Sequence, residues 1–187
     1  MGDIITITER LILRLMDDGD KENIFKLAME SSVLSNLPKD ESYIDLYRKA
    51  SWEEVSTPNT FNVLMFLKDD NSFVGKVCMQ FIDKPLPELG VDVLSDFRNK
   101  GYGPEAVIAF CNWYSENKGL PKVKVRISKE NSHSIYVFEK LGAEYQESTS
   151  YISENSIDLI RQMLPDADLS ELSKNSVREY ILHLPLI

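Results

Sequence analysis

The stretch Asp96-Phe97-Arg98-Asn99-Lys100-Gly101-Tyr102-Gly103-Pro104-Glu105-Ala106 joins a strand-like run, Leu89 to Leu94, to a helix-like run that starts near Gly103. A strand that enters a basic, glycine-containing loop and leaves as a helix commits the chain to a βα unit built around an anion cradle. The glycines let the backbone approach a phosphate closely, and the free N–H groups of the first helical turn point at it. Pro104 suits the first helical position, where no N–H is needed. Arg98 and Lys100 add positive charge where a diphosphate requires it. The same residues also suit an ordinary polar turn before a capped helix.

Two familiar nucleotide motifs are not met. The Gly-x-Gly-x-x-Gly spacing is incomplete, because Ala106 stands near the third position and no acidic ribose ligand follows on a second strand at the required distance. The Gly-Lys-Ser/Thr ending of the phosphate loop is absent.

A second block lies downstream. Val123 to Ile127 alternates apolar and basic residues, and Asn131-Ser132-His133-Ser134-Ile135-Tyr136-Val137-Phe138-Glu139-Lys140-Leu141-Gly142 reads as a short helix. Ile135, Phe138 and Leu141 share one face at helical spacing, and Gly142 stands as the C-terminal cap. The order is strand, Arg-x-x-Gly-x-Gly, long helix, strand, Asn-x-x-Ser, short helix ending Glu-Lys-Leu-Gly. In this order the two blocks resemble the GNAT (Gcn5-related) N-acetyltransferases, in particular the RimJ/RimL-like branch, whose opening strand is similar to Thr8-Glu9-Arg10-Leu11-Ile12-Leu13-Arg14. The resemblance runs from about Thr8 to Ser150.

The resemblance implies a single α/β (α+β) domain over residues 1–187, with a mixed, mostly antiparallel sheet of six to seven strands flanked by helices. It implies acetyl-CoA as co-substrate, no metal, and transfer of the acetyl group to a primary amine of a small molecule, a peptide or a protein N-terminus. The pyrophosphate role falls on Arg98, Asn99, Lys100, Gly101, Tyr102 and Gly103, with Pro104 opening the helix. The backbone of Val93, Leu94 and Ser95 takes the pantetheine arm and the thioester carbonyl. Asn131 and Ser134 match the family's Asn-x-x-Ser, which contacts the pantetheine arm; both are also ordinary helix-capping residues.

Strand alternation puts Glu88, Gly90, Asp92 and Leu94 on one face and Leu89, Val91 and Val93 on the other. A cleft explains two carboxylates on an otherwise apolar strand, since burying an unpaired carboxylate is costly. By analogy with relatives Glu88 is the candidate base, and Asp92 could hold the acceptor's ammonium group. The plainer alternative has one of them solvated at the strand start and the other paired with a lysine. Many family members place a tyrosine seven residues after the helix asparagine to protonate the leaving thiolate. Here that position is Phe138, while Tyr136 points about 200° away round the helix. Departure as a thiolate, assisted by solvent or by Ser134, remains open, with catalysis resting mostly on positioning and backbone polarisation.

Other features narrow the function classes. A formal net charge of −9 over 187 residues argues against a general nucleic-acid binder. No apolar run is long enough to span a bilayer, and no signal peptide is present, so a cytoplasmic location is expected. Cys78 and Cys111 fall in apolar segments without metal-ligand spacing, which suggests buried reduced thiols. Met1-Gly2-Asp3-Ile4-Ile5-Thr6 matches the myristoylation pattern, a match short enough to arise by chance. Lys122, Lys124 and Arg126 form a basic stripe, read as a solvated face. Tyr43 and Tyr47, on a helix expected over Glu41 to Val55, border the acceptor site in the family.

The segment at about 153–175 departs from the family pattern. Its apolar Ile157, Leu159, Ile160, Met163 and Leu164 suggest a helix over Asn155 to Leu164, which could cover the acceptor cleft or build a homodimer contact. The rival from another class is a non-catalytic acyl-CoA-binding or regulatory domain, and a nucleotide-binding protein is a third.

Overall fold

The structure, a computed structural model, describes residues 2–30, 41–150 and 176–186, and only the backbone of residues 41–43. The expected helix at 155–164 and the inserted segment 153–175 lie outside these residues, as does the Tyr43 side chain. The chain divides into two compact units, Met1–Pro121 with Leu184–Ile187, and Lys122–His183.

The first unit holds five antiparallel strands in sequence order: β1 (Ile4–Ile7), β2 (Leu11–Leu15), β3 (Thr60–Leu67), β4 (Phe73–Gln80) and β5 (Glu88–Val93). The resemblance places one opening strand over Thr8 to Arg14. It is instead the turn and second arm of a hairpin whose first arm is Ile4–Ile7, because the Thr8 hydroxyl accepts from the Leu11 N–H at 2.8 Å while the Thr8 N–H donates to the Leu11 carbonyl at 2.9 Å. With the three strands of the second unit, the described residues hold eight strands, one more than the expected upper count.

Three helices complete this unit: α1 (Lys21–Met29), α2 (Glu41–Val55) and α3 (Tyr102–Lys118). The sheet is apolar on both faces, so both must be covered. Helix α3 covers the face carrying Phe61, whose ring lies 6.2 Å from Phe110, 5.6 Å from Trp113 and 5.6 Å from Tyr114. Ala106, Val107, Phe110 and Cys111 of α3 are fully buried against it. On the other face Ile24 of α1 and Val55 of α2 pack with Leu64 and Phe66. Asn62 shares that face, and its amide donates to the Val55 carbonyl at 2.7 Å, tying the end of α2 to the sheet.

A bidentate ion pair closes the start of α1. Arg14 on β2 meets Asp20 at 2.7 and 2.6 Å, and both side chains are largely buried. Burial pushes the Asp20 carboxyl up, yet bonds from the Arg14 guanidinium, the Asp17 N–H and the Asn23 amide hold it below the usual carboxylate range. The Arg14 guanidinium also lies 4.5 Å from the Phe66 ring centre.

The second unit holds β6 (Lys122–Ser128), α4 (Ser132–Lys140), β7 (Glu144–Thr149) and β8 (Val177–His183), with β8 paired antiparallel to both other strands. On β6, Val123, Val125 and Ile127 are buried while the basic side chains alternate outward, as the pattern predicts, and Lys124 pairs with Glu179 at 3.7 Å. Helix α4 ends as expected. Gly142 is left-handed at φ 87°, its N–H donates to Glu139 at 3.1 Å, and the Ala143 N–H donates to Phe138 at 2.9 Å.

Among the described residues no helix is long and apolar enough to cross a membrane.

Candidate active site

Strand β5 delivers the chain into the predicted cradle. It ends at Val93, and Ser95–Phe97 forms a single 3-10 turn before the loop. Asn99 and Gly101 both lie in the left-handed region, at φ 60° and 82°. Left-handed residues in turn conformation are the kind from which anion-binding nests of backbone N–H groups are built. Helix α3 follows with Gly101 as N-cap, and the Glu105 N–H donates to the Gly101 carbonyl at 3.2 Å. The N–H groups of Tyr102 and Gly103 have no acceptor within the helix by geometry. Pro104 is therefore the third helical residue, not the first as expected. It still fits, because all positions of the first turn lack intrahelical acceptors.

The two glycines are not equivalent. Gly101 is left-handed, and a β-carbon there would lie 3.2 Å from Arg10 Nη2. The fold itself therefore favours glycine at this position. Gly103 is not left-handed, and a β-carbon would meet only Val93 Cγ2 at 3.5 Å, an ordinary contact. The protein alone has room for a side chain there.

The basic residues of the loop have partners inside the protein. Arg98 donates from Nε to the Val93 carbonyl at 2.8 Å and reaches Glu30 at 3.3 Å. The Lys100 ammonium lies 5.6 Å from the Phe97 ring centre. The backbone of the three residues expected to hold the pantetheine arm is also engaged. The Leu94 N–H donates to Val74 at 3.0 Å, and the Ser95 N–H donates to Glu30 Oε2 at 2.6 Å.

Two residues in this assembly carried no role in the sequence reading. Glu30 follows α1 and takes both the N–H and the hydroxyl of Ser95. Arg10 lies in the β1–β2 turn and grips Lys100, Tyr102 and Glu105. Glu105 sits in the first turn of α3, accepting from the Arg10 N–H, the Arg10 guanidinium and the Thr8 hydroxyl. Burial pushes its carboxyl up, but those donors hold it below its ordinary value. No spacing rule links residues 65 to 95 positions apart, so only folding reveals these contacts.

Glu88 and Asp92 lie on the sheet face shared with α1 and α2, as strand alternation predicts. Across β4 they oppose Gln80 and Lys76, and Gly90 opposes Cys78. Glu88 is buried at the strand start, where solvent exposure was the plainer alternative. Asp92 is exposed and pairs with Lys76 at 3.5 Å, the lysine pairing that was the other half of that alternative. Lys76 is itself buried. Burial lowers its pKa, but neighbouring charges including Asp92 and Glu54 outweigh this and the net direction is up. Cys78 and Cys111 are free and buried, and burial pushes the Cys111 thiol up to about 12.

Asn131, Ser134 and Phe138 belong to the second unit. The Asn131 side chain caps α4, accepting from the Ser134 N–H at 3.0 Å. Phe138 is 4% exposed and forms part of that unit's core, whereas Tyr136 is 61% exposed. The predicted separation of the two rings round the helix is thus observed. His133 is exposed at the start of α4.

Residues 10–144 match the acetyltransferase (GNAT) domain family. A 136-residue alignment, covering 72% of this chain and 79% of the relative, shows 22% identity to the uncharacterized N-acetyltransferase YnaD of Bacillus subtilis. Identity is 30% over 123 residues to the human alpha/beta-tubulin-N-acetyltransferase 9, covering 59% of each chain. Among solved structures, the spermidine N-acetyltransferase of Vibrio cholerae in complex with CoA and spermine superposes with a TM-score of 0.67 at 12% identity, over 94% of this chain and 96% of that one. With its α/β fold, its left-handed loop before α3 and this match across most of its length, the chain belongs to the GNAT acetyltransferase family.

Proposed function

We propose that the protein is an N-acetyltransferase of the RimJ/RimL-like branch that moves the acetyl group of acetyl-CoA to a primary amine. The observation that carries this is the nest of Asn99 and Gly101 leading into the N-terminus of α3, in a chain of an acetyl-CoA-using family. The nest receives the diphosphate through the N–H groups of residues 99–103. Arg98 and Lys100 contribute long-range charge, and Val93, Leu94 and Ser95 line the arm. Asn131 and Ser134 carry the family's pantetheine contact through their Asn-x-x-Ser match.

In the reaction the acceptor arrives as an ammonium ion, since a free alkylamine has a pKa of roughly 10.4. Glu88, directly or through water, removes one proton. The amine nitrogen attacks the thioester carbonyl carbon, a C–N bond forms, and the C–S bond breaks. CoA leaves as a thiolate, and the second proton of the acylated nitrogen passes to it through solvent or by way of the Ser134 hydroxyl, leaving the neutral amide and the CoA thiol. Asp92 attracts the incoming ammonium group, with Lys76 fixing its position. The net charge of −9 favours encounter with cationic acceptors over anionic ones. A small molecule, a peptide and a protein N-terminus all satisfy this chemistry. A cytoplasmic location and a homodimeric assembly complete the proposal.

The test is thiol release from acetyl-CoA with a panel of amines. Glu88→Gln is expected to slow turnover at neutral pH and less at high pH, where free amine is plentiful. An equal loss at every pH would assign Glu88 to positioning. A non-catalytic acyl-CoA-binding domain is the second reading, favoured by Phe138 standing where a proton donor is common. It predicts CoA affinity without thiol release for any amine.

A further inference from the structure

We propose that Arg10 is a positioning residue that sets the direction of the diphosphate-binding N–H groups. The proposal rests on the acetyl-CoA reading above. Arg10 lies far from β5 in sequence, yet every polar edge of its guanidinium is directed at the loop and the first turn of α3. Nη1 donates to the Lys100 carbonyl at 2.8 Å, Nε donates to Glu105 Oε2 at 2.7 Å, and Nη2 meets the same oxygen at 2.6 Å. The guanidinium Cζ lies over the Tyr102 ring, 4.5 Å from the ring centre. The Arg10 N–H adds a bond to Glu105 Oε1 at 3.0 Å, and the Thr8 hydroxyl donates to that oxygen as well.

The Lys100 contact decides the consequence. In a trans peptide the carbonyl and the following N–H point in opposite directions across one rigid plane. With the Lys100 carbonyl turned onto Arg10, the Gly101 N–H faces the other way, away from Arg10. Glycine at 101 has a low barrier to the alternative conformations of that peptide, so without a clamp the plane is free to flip. A flipped plane would present a carbonyl oxygen to a diphosphate. Only a planar fork reaches the carbonyl, the carboxylate and the ring at once; a lysine supplies charge without that reach.

The test is calorimetry of CoA and of pantetheine, which lacks the diphosphate, on the wild type, Arg10→Ala and Arg10→Lys, with melting curves to show that each is folded. The pantetheine-to-CoA ratio of dissociation constants is expected to fall at least tenfold in R10A and several-fold in R10K. A merely structural role would weaken both ligands alike and leave the ratio intact, and that outcome would overturn the proposal. Should R10A not fold, the R10K ratio decides by the same criterion. A wild type that binds no CoA would overturn the acetyl-CoA reading and this inference together, whereas normal wild-type binding with unchanged ratios sinks only the role of Arg10.

Discussion

The Glu30 carboxylate holds Ser95 by two bonds at once, from the Ser95 N–H at 2.6 Å and from its hydroxyl at 3.1 Å. A backbone N–H has one hydrogen to give. The Ser95 N–H therefore serves either Glu30 or an incoming acyl-CoA. The same carboxylate also reaches Arg98 at 3.3 Å.

If Ser95 contacts the arm or the carbonyl of acetyl-CoA, Glu30→Ala removes its competitor. The expected outcome is tighter acetyl-CoA binding by about 1 kcal/mol, roughly fivefold, the size of one hydrogen bond released for use. Calorimetric titration checks this. Weaker binding would show that Glu30 shapes the loop.

Gly103→Ala separates the needs of the fold from those of the ligand. The new β-carbon makes only an ordinary contact, at 3.5 Å from Val93 Cγ2, so the melting temperature is expected to hold or rise. Acetyl-CoA affinity is expected to drop at least tenfold, by about 1.4 kcal/mol or more, through loss of close backbone approach. Unchanged affinity would remove Gly103 from the cradle.

The Lys76–Asp92 pair is asymmetric, with side-chain exposures of 10% and 59%. Removing the exposed partner strands a buried cation, whereas removing the buried partner leaves a carboxylate already in water. Asp92→Asn is expected to cost about 1–2 kcal/mol and Lys76→Met less than about 1 kcal/mol, read by denaturant unfolding. The reverse order would mean that the Lys76 ammonium is satisfied without Asp92.

Asp20 sets a pH dependence. Its carboxyl is held below its ordinary value in the folded chain, so its contribution is complete above the unfolded carboxylate value, roughly 3.9, and is lost as pH falls through the folded value. Unfolding free energy measured between about pH 5 and 2 is expected to decline less steeply in Asp20→Asn than in the wild type. Asp20→Ala is expected to cost about 3–5 kcal/mol at neutral pH, because it leaves Arg14 buried without its partner. Identical acid slopes for Asp20→Asn and the wild type would place the linkage elsewhere.

Local chemistry made much of this legible in the sequence. The strand–turn–helix unit from β5 to α3, the buried face of β6, the Asn131 cap and the Gly142 terminus each depend on residues within one turn or one strand of each other. The turn at Thr8 was hidden, because no glycine, proline or asparagine marks a break between Thr8 and Leu15, and only the Thr8–Leu11 bonds make it. Lys76 carries no motif, and its pairing with Asp92 follows from strand register alone. Arg10 and Glu30 were illegible for the same reason: their contacts with Glu105 and Ser95 exist only after the sheet and helices have assembled.

The most direct test of the account is calorimetric titration of the purified protein with acetyl-CoA, with ATP and NAD as controls. The account predicts saturable, one-to-one binding of acetyl-CoA that the two nucleotides do not reproduce. A folded protein that binds none of the three, or all three alike, would contradict it and leave the Arg98–Gly103 loop a structural turn.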